Sequence, residues 1–401
     1  MPDIWNFHSA GRLVFGAGAV DHLGELTREQ GCRRVLIVTD RPLVEAGALD
    51  KVRDSLVAAG LEAGLFDDGE PEPSFAAARK CLQAASPFKP DAVLGLGGGS
   101  NMDLAKLTAI LLTHGGDCRD WVGDCVVPGP ILPVICLPTT AGTGSEVTAS
   151  GVLTDNENHI KVGILSQFLR PRLAVVDPQL TLSCPRQVTA DSGIDALTHA
   201  IEAYTAVDNA AFPLPAGERT VYQGRNPLGD CLAEKAISLV GQHLATAVEQ
   251  PNDLTARTGM ALAATLAGLA FSNSGVALVH AMEYPVGGAV HCSHGAGNGL
   301  LLPYVMRYNL PLRRPEMARI AELLGEDTTG LDETAAAERA VTAVERLRAR
   351  IGIPGRLREL GVRREQLRPF AEKAASIKRI LRVNPRMPTT EEIEEIYEAA
   401  W

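Results

Sequence analysis

The feature that most restricts the fold of this chain is a change in hydrophobic pattern near residue 185. Before it, short runs rich in β-branched residues alternate with amphipathic runs, as in Arg33–Thr39 followed by Leu43–Ala59. Such alternation predicts a mostly parallel sheet with helices on both faces. After Pro185, nearly every periodic segment has the spacing of a helix. We therefore predict an α/β domain over residues 1–185 and an all-helical domain over residues 186–401.

The same patterns predict individual elements. Strands are expected at Arg12–Phe15, Arg33–Thr39, Glu62–Phe66, Asp91–Leu96, Pro133–Leu137, Thr148–Leu153, His159–Ile164 and Leu173–Val176. Helices are expected first at Ala19–Gln30, Leu43–Ala59, Ser74–Ala85 and Asn101–Leu112. In the second half they are expected at Val188–Tyr204, Leu228–Glu249, Leu254–Phe271, Val276–Glu283, His294–Tyr308, Arg314–Leu324, Glu333–Ile351, Glu365–Ser376 and Thr390–Ala400. Asp208–Pro227 is a long irregular segment, which in a compact domain is usually functional or mobile.

Composition excludes several classes of partner. The formal net charge is −10 and no Lys/Arg block is present, which argues against nucleic acid or an anionic membrane. Eight cysteines without a C-x-x-C pair predict neither a disulfide framework nor a zinc ribbon, so a cytoplasmic location is expected. The apolar run Gly259–Met282 is long enough to span a membrane. Because Ser272-Asn273-Ser274-Gly275 interrupts it, a buried helix, a turn and a second buried helix are the preferred interpretation.

Histidines concentrate in the apolar stretch Gly275–Asn298. The three are His280, His291 and His294. Buried imidazoles need partners, because an unpaired polar group away from water is unfavourable. An earlier helical run supplies Asp195 and His199, which lie four residues apart and so share one helix face. One carboxylate and one imidazole, with two more imidazoles some eighty residues later, predict a four-ligand divalent metal site.

Two glycine-rich loops follow predicted strands. Gly97-Gly98-Gly99-Ser100 opens a helix, where close backbone approach and free N–H groups suit a pyrophosphate. Thr139–Ser145 follows another strand, and two such loops at strand ends predict a dinucleotide site. Asp40 ends an earlier strand and would accept hydrogen bonds from a ribose, which favours NAD over NADP. The alternatives are a tight turn without a ligand and an ordinary turn aspartate.

Five ordered motifs resemble those of the iron-containing alcohol dehydrogenases. They are GGGS-x-x-D-x-x-K (Gly97 to Lys106), PTTAGTGSEVT (Pro138 to Thr148), DALTHAIE (Asp195 to Glu202), VHAM (Val279 to Met282) and SHGAGN (Ser293 to Asn298). The resemblance covers nearly the whole chain. It implies the dehydroquinate synthase-like fold of that family, with an N-terminal dinucleotide-binding α/β domain and an all-helical domain for metal and substrate.

The resemblance also implies residue roles. Asp195, His199, His280 and His294 would be catalytic metal ligands for Fe²⁺, with Zn²⁺ possible, and His291 would have no ligand role. NAD would contact a set from the α/β half: Asp40, Gly97, Gly98, Gly99, Ser100, Asp103, Thr139, Thr140, Thr143, Ser145, Lys161 and Leu180. Phe271, nine residues before His280, is predicted to line the substrate pocket, with plain core packing as the alternative.

Tyr284 departs from the family pattern. Many members have a histidine at this position, four residues after the first of the late pair, so the proton would leave through Tyr284 or through water and ribose hydroxyls. With Tyr222–Pro227, this feature resembles the hydroxyacid-oxoacid transhydrogenase branch of the family, which oxidises 4-hydroxybutyrate while reducing 2-oxoglutarate.

The predicted function is a metal-dependent alcohol dehydrogenase or aldehyde reductase that transfers hydride between a primary alcohol and NAD. A homodimer or larger homo-oligomer is expected from the resemblance. One alternative is a hydroxyacid-oxoacid transhydrogenase or a 4-hydroxybutyrate dehydrogenase-type enzyme. An alternative of another class is a non-catalytic metal- and nucleotide-binding assembly protein. A polyol-phosphate enzyme is disfavoured, because no Arg/Lys cluster lies near the late histidines to bind a phosphate.

Overall fold

The computed structural model describes residues 4–155 and 160–401, and these divide into two compact units. The first, here the α/β unit, comprises His8–Cys184 with Arg219–Val221. The second, here the helical unit, comprises the first residues through Phe7 together with Pro185–Glu218 and Tyr222–Trp401. The predicted fold class, a parallel α/β domain followed by a helical domain, is confirmed.

Over the described residues the strands all lie in the α/β unit. They are β1 (Arg12–Phe15), β2 (Arg34–Val38), β3 (Glu62–Phe66), β4 (Ala92–Gly97), β5 (Gly123–Asp124), β6 (Val134–Pro138), β7 (Ser150–Asp155), β8 (Ile160–Leu165) and β9 (Leu173–Val176). One sheet has the order β1-β9-β6-β4-β2-β3, and every neighbouring pair in it is parallel. A smaller sheet has the order β5-β8-β7, with β7 antiparallel to β8. His159, where one predicted strand begins, lies outside the described residues.

The helices of the α/β unit are α1 (Leu23–Glu29), α2 (Arg41–Glu45), α3 (Ala48–Ala58), α4 (Phe75–Phe88) and α5 (Gly99–His114). Those of the helical unit are α6 (Arg186–Thr205), α7 (Pro227–Glu249), α8 (Leu254–Ser274), α9 (Leu278–Val290), α10 (His294–Asn309), α11 (Arg314–Leu323), α12 (Glu333–Ile351), α13 (Leu367–Ser376), α14 (Lys378–Leu381) and α15 (Thr390–Ala400).

Predicted and observed helices differ in several places, and two of these differences have an identifiable cause. The run Leu43–Ala59 is two helices, because Gly47 takes a φ of 78° and separates α2 from α3. The helix predicted to end at Glu283 instead continues through Pro285 to Val290. Proline removes one backbone hydrogen bond and normally ends a helix. Here Pro285 and most of the residues before it in α9 are buried, so tertiary packing outweighs the local preference.

Both faces of the large sheet are buried, as a parallel sheet requires. In β2, Val35 and Ile37 pack into one apolar cluster, whereas Leu36 and Val38 pack into another on the opposite face. Successive side chains along a strand point to opposite faces. This accounts for the uninterrupted apolar run that identified the strand in the sequence.

The apolar run that raised the question of a membrane span forms two buried helices. α8 is the one described helix that is long and apolar enough to cross a membrane. In its most apolar stretch of 18 residues, 72% is buried inside the protein. It is N-capped by Asp253, whose side chain accepts a hydrogen bond from Ala256 N, and it ends before Gly275. The predicted helix, turn and second helix are confirmed.

Candidate functional site

The candidate metal centre begins on α6. Asp195 and His199 lie one turn apart on this helix and are 2% and 5% exposed. His199 Nδ1 lies 3.8 Å from Asp195 Oδ2. This is the shared helix face that the spacing of four residues predicts.

A sharp turn between α8 and α9 brings His280 to the same place. Gly275 has a φ of 118°, and a Cβ there would lie only 2.6 Å from Val383 Cγ2, so the turn requires glycine. α9 then carries His280 in its first turn. The rings of His280 and His199 stack with their centroids 4.8 Å apart.

His294 completes the group as the first residue of α10. Its ring lies 5.3 Å from that of His280, centroid to centroid. Asp195, His280 and His294 each present one possible ligand atom, and these three atoms lie within 4.8 Å of one another. The structure therefore brings three of the four predicted ligands together, and His199 lies beside them against Asp195 and His280.

Two carboxylates form hydrogen bonds with two of these histidines, and neither carboxylate had a predicted role. Glu202 Oε2 lies 2.6 Å from His280 Nδ1, and Glu283 Oε2 lies 2.5 Å from His294 Nδ1. An ionised carboxylate only accepts hydrogen bonds, so it holds the hydrogen on Nδ1 and leaves the Nε2 lone pair for a cation. The sequence did contain a signal, because each glutamate follows a histidine of its own helix by three residues, His199 and His280 respectively.

Asn298 connects the acid to the imidazoles. Its Nδ2 donates to Asp195 Oδ1 at 2.8 Å and lies 3.2 Å and 3.1 Å from Nε2 of His280 and His294. Burial raises the pKa of the Asp195 carboxyl, but the positive charge that His199, His294 and His280 carry when protonated, together with the Asn298 amide, lowers it below its ordinary value. The converging lone pairs of one carboxylate and several imidazoles form a donor set that suits Fe²⁺ or Zn²⁺.

Two other predicted residues lie beside this centre, and the third late-chain histidine, His291, lies outside it. Phe271 is buried and its ring stacks on His199, with centroids 4.2 Å apart and planes inclined by 15°. The Tyr284 ring lies 6.1 Å from that of His294. His291 is exposed and ends α9 with a φ of 52°, outside the group of converging ligand atoms.

The glycine-rich loops belong to the α/β unit, where β4 and β6 are parallel neighbours with Gly97 paired to Pro138. Both loops therefore leave the same edge of the sheet. α5 begins at Gly99, after Gly98 as its N-cap residue. A Cβ on Gly99 would lie 2.8 Å from Thr143 Cγ2, so glycine allows the two loops to touch.

The remaining predicted cofactor residues of these loops lie close by. Thr139 N donates to Gly97 O at 3.0 Å, and Thr140 Oγ1 would lie 3.5 Å from a Cβ on Gly98. Ser100 Oγ accepts a hydrogen bond from Glu72 N at 3.2 Å.

Asp40 has two partners in the structure. It is the N-cap residue of α2, and its Oδ1 accepts from Leu43 N at 3.0 Å. Its Oδ2 accepts from Asn101 Nδ2 at 2.7 Å, and the same amide donates to Leu96 O. These contacts hold the carboxylate at the end of β2, and each oxygen retains a further lone pair for a ribose hydroxyl.

A fully buried lysine organises the second loop. The three N–H groups of Lys106 Nζ are shared among four oxygens at 2.7–3.1 Å, and Nζ lies 3.7 Å from Asp103 Oδ1; the four oxygens are Ser145 O, Ser145 Oγ, Thr148 Oγ1 and Ser150 O. Ser145 Oγ donates to Asp103 Oδ1 at 2.6 Å. Asp103 and Ser145, both predicted to contact the cofactor, are thus parts of the network that shapes the loop.

Two further predicted contacts have other neighbours. Lys161 lies on β8 with its side chain 7% exposed, and its Nζ is 2.7 Å from Glu72 Oε1. Leu180 is buried in the apolar cluster on one face of the large sheet, among residues such as Leu137. Both therefore have structural partners, and their contacts with a cofactor stay predictions.

Comparison with known proteins covers almost the entire chain. The family profile described as iron-containing alcohol dehydrogenase matches residues 10–178, and its C-terminal counterpart matches residues 216–401. A NAD-dependent methanol dehydrogenase of Bacillus methanolicus is 36% identical over 98% of this chain and 99% of its own length. A 1,3-propanediol dehydrogenase of Klebsiella pneumoniae is 39% identical over 96% of each chain.

A solved structure agrees with these relatives. The crystal structure of a 1,3-propanediol oxidoreductase has a TM-score of 0.93 and 37% identity, covering 99% of this chain and 100% of the other. The relatives are named as alcohol dehydrogenases, and they do not favour the hydroxyacid-oxoacid transhydrogenase branch. With two family profiles and full-length relatives in agreement, this chain belongs to the iron-containing alcohol dehydrogenase family.

Proposed function

We propose that this protein catalyses reversible hydride transfer between a short primary alcohol, or its aldehyde, and NAD at a divalent metal centre. The observation that carries the proposal is the convergence of Asp195, His280 and His294 within 4.8 Å, with carboxylates behind both imidazoles. The named substrates of the relatives, methanol and 1,3-propanediol, support a small alcohol.

The metal ligands in this proposal are Asp195, His199, His280 and His294. A divalent ion held by them would act as a Lewis acid toward the substrate oxygen. Three of these four ligand side chains are at most 5% exposed, so the surrounding protein keeps water away from the metal centre. The ring of Phe271 stacks on one face of His199, and Phe271 is proposed to line the substrate pocket. Tyr284, near His294, is proposed to accept or relay the proton released by the alcohol.

The cofactor in this proposal is NAD, bound by the two glycine-rich loops of the α/β unit. The N-terminus of α5 offers backbone N–H groups and a positive dipole end to the pyrophosphate. Asp40 is proposed to accept hydrogen bonds from the adenosine ribose and to repel a 2′-phosphate, and its helix-capping contact and Asn101 hold it in place. Contacts from the other predicted cofactor residues, including Lys161 and Leu180, are part of the proposal.

The roles of the two domains, the cellular location and the oligomeric state are also proposed. Residues 1–185 are assigned to the cofactor and residues 186–401 to the metal and substrate. A cytoplasmic homodimer or larger homo-oligomer follows from the sequence prediction, with no nucleic acid or membrane as a partner.

The test uses the purified protein loaded with Fe²⁺ or Zn²⁺. We expect NADH formation with methanol, ethanol, 1-butanol or 1,3-propanediol, and loss of it on chelation with the fold retained by circular dichroism. A parallel reaction contains 4-hydroxybutyrate and 2-oxoglutarate without added NAD. Turnover only in that reaction would contradict the proposal in favour of a transhydrogenase. No turnover in either reaction, with metal and NAD both bound, would favour the non-catalytic alternative.

A further inference from the structure

The three helices that carry the candidate ligands are connected in a closed cycle. Glu202 of α6 contacts His280 of α9, and Glu283 of α9 contacts His294 of α10. The cycle closes because Asn298 of α10 donates to Asp195 of α6. Each helix thus supplies at least one candidate ligand, with Asp195 and His199 both on α6, and one partner for a ligand on the next helix.

We infer that Glu202, Glu283 and Asn298 are positioning residues, and that their cycle of hydrogen bonds orients the ligands toward a metal ion. The inference rests on the proposed metal centre. It assigns to these residues a contribution to metal affinity that is separate from their contribution to the fold.

Glu202 connects α6 to α9 through three hydrogen bonds. Its Oε1 accepts from Val279 N at 2.6 Å, and its Oε2 accepts from Ala277 N at 2.8 Å and from His280 Nδ1 at 2.6 Å. Ala277, the N-cap residue of α9, has no side chain that could cap the helix. A carboxylate from another helix therefore caps α9 and, with the same oxygen, fixes the ring of the ligand in the first turn.

Glu283 repeats the arrangement one helix further on. It is 0% exposed, and its Oε2 lies 2.5 Å from His294 Nδ1. A Cβ on Gly297 would lie 2.8 Å from Glu283 Cγ, so the glycine leaves room for this side chain against α10. Since the carboxylate accepts the Nδ1 hydrogen, Nε2 is the nitrogen that carries the acceptor lone pair.

Asn298 reaches Asp195 because α10 lies unusually close to α6. Cβ atoms on Gly295 and Gly299 would lie 2.0 Å from Asp191 O and 2.6 Å from Ile194 Cγ2, so these two positions need glycine. They are four residues apart and share one helix face. Asn298 is fully buried, and its shortest contact is the 2.8 Å bond to Asp195 Oδ1. When the imidazole lone pairs bind a cation, the hydrogen bond from Asn298 still orients the carboxylate of Asp195.

The consequence is that a neighbouring side chain holds Asp195, His280 and His294 in orientation. Residues that orient ligands from behind typically contribute about 10- to 100-fold to metal affinity. Loss of one of them is therefore expected to weaken metal binding even at temperatures where the protein stays folded.

The experiment measures Zn²⁺ and Co²⁺ dissociation constants of the full chain by competition with a chelator. The variants are Glu202→Ala, Glu283→Ala, Glu283→Gln and Asn298→Ala. We expect about 10- to 100-fold weaker binding for the alanine variants, and a smaller loss for Glu283→Gln, which keeps an oxygen acceptor for Nδ1–H. The Co²⁺ absorption bands should shift in the variants, because the orientation of a ligand ring changes.

The matched control is Asp253→Ala. It removes a carboxylate that caps α8 through Ala256 N, without any contact to a ligand histidine. It should lower the melting temperature, because the N-cap of α8 is lost, while metal affinity stays within about twofold. If an alanine variant fails to fold, the metal affinity of Glu283→Gln is compared with that of Asp253→Ala instead.

Two outcomes would overturn different conclusions. Folded variants that bind metal as tightly as the wild type, with unchanged Co²⁺ bands, would overturn the positioning role alone. A wild-type protein that binds neither ion would overturn the proposed metal centre itself.

Discussion

The glycine-rich loops of the α/β unit and the histidine centre of the helical unit are both candidate ligand sites, and they differ in what binds the ligand. In the loops, the available groups are backbone N–H groups at the start of α5, and side chains such as Lys106 act from within to shape the loop. In the histidine centre, every candidate ligand atom belongs to a side chain, and further side chains hold those in place.

This difference has a physical origin. A diphosphate is large and can be bound by a run of consecutive peptide groups, so a contiguous loop suffices. A divalent ion needs a few donors at fixed distances, which neighbouring residues rarely supply alone. Three helices therefore converge on the centre, and its geometry depends on how tightly they pack.

The largest effect is expected from removing a ligand. His280→Ala should abolish stoichiometric metal binding and lower kcat/KM by more than about a hundredfold, because Lewis-acid stabilisation is worth several kcal/mol. NAD affinity, measured by fluorescence titration, should change little, because the loops do not depend on the ion. Full activity without bound metal would show that the histidine centre is not the reacting site.

Next in size is the buried lysine of the loops. Lys106→Met should destabilise the α/β unit by about 3–5 kcal/mol, because Asp103, whose side chain is only 13% exposed, would lose the cation 3.7 Å away. Denaturant unfolding monitored by circular dichroism would measure this, and the double variant Lys106→Met with Asp103→Leu should recover part of the loss. A change below about 1 kcal/mol in the single variant would contradict the structural role of the lysine.

A smaller effect is expected where the two loops touch. A Cβ at Gly99 would lie 2.8 Å from Thr143 Cγ2, and overpacking of this kind costs about 1–3 kcal/mol. Gly99→Ala should therefore raise the KM for NAD roughly tenfold or more while metal content stays the same.

Gly129→Ala is the matched control for that variant. A Cβ at Gly129 would meet nothing within 4 Å, so the KM for NAD should not change. Equal KM values for the two variants would show that contact between the loops has no part in binding NAD.

The smallest effect is expected at His291, the late histidine that lies outside the metal centre. His291 is exposed and has a φ of 52°, a region that asparagine tolerates. His291→Asn should leave the Zn²⁺ dissociation constant and kcat within about twofold of the wild type, since its ring is outside the converging group. A tenfold weaker affinity would make His291 part of the centre and extend it beyond the three-helix cycle.

Much of the fold was predictable because its signals are local. Apolar runs such as Arg33–Thr39 identified buried strands, and a change of period near residue 185 identified the helical half. Predicted and observed helices differ where packing outweighs a local preference. One example is α9, which continues through Pro285 because the surrounding residues are buried.

By itself, the sequence determined which residue types could act at each site. Contiguous glycines specified the loops, and the spacing of Asp195 and His199 specified a shared helix face, since both depend only on neighbours along the chain. The tertiary structure alone decided that Glu202, Glu283 and Asn298 join the ligands in a cycle. Those contacts connect residues up to 103 positions apart, and the longest of them, Asn298 to Asp195, exists because glycines let α10 approach α6 closely.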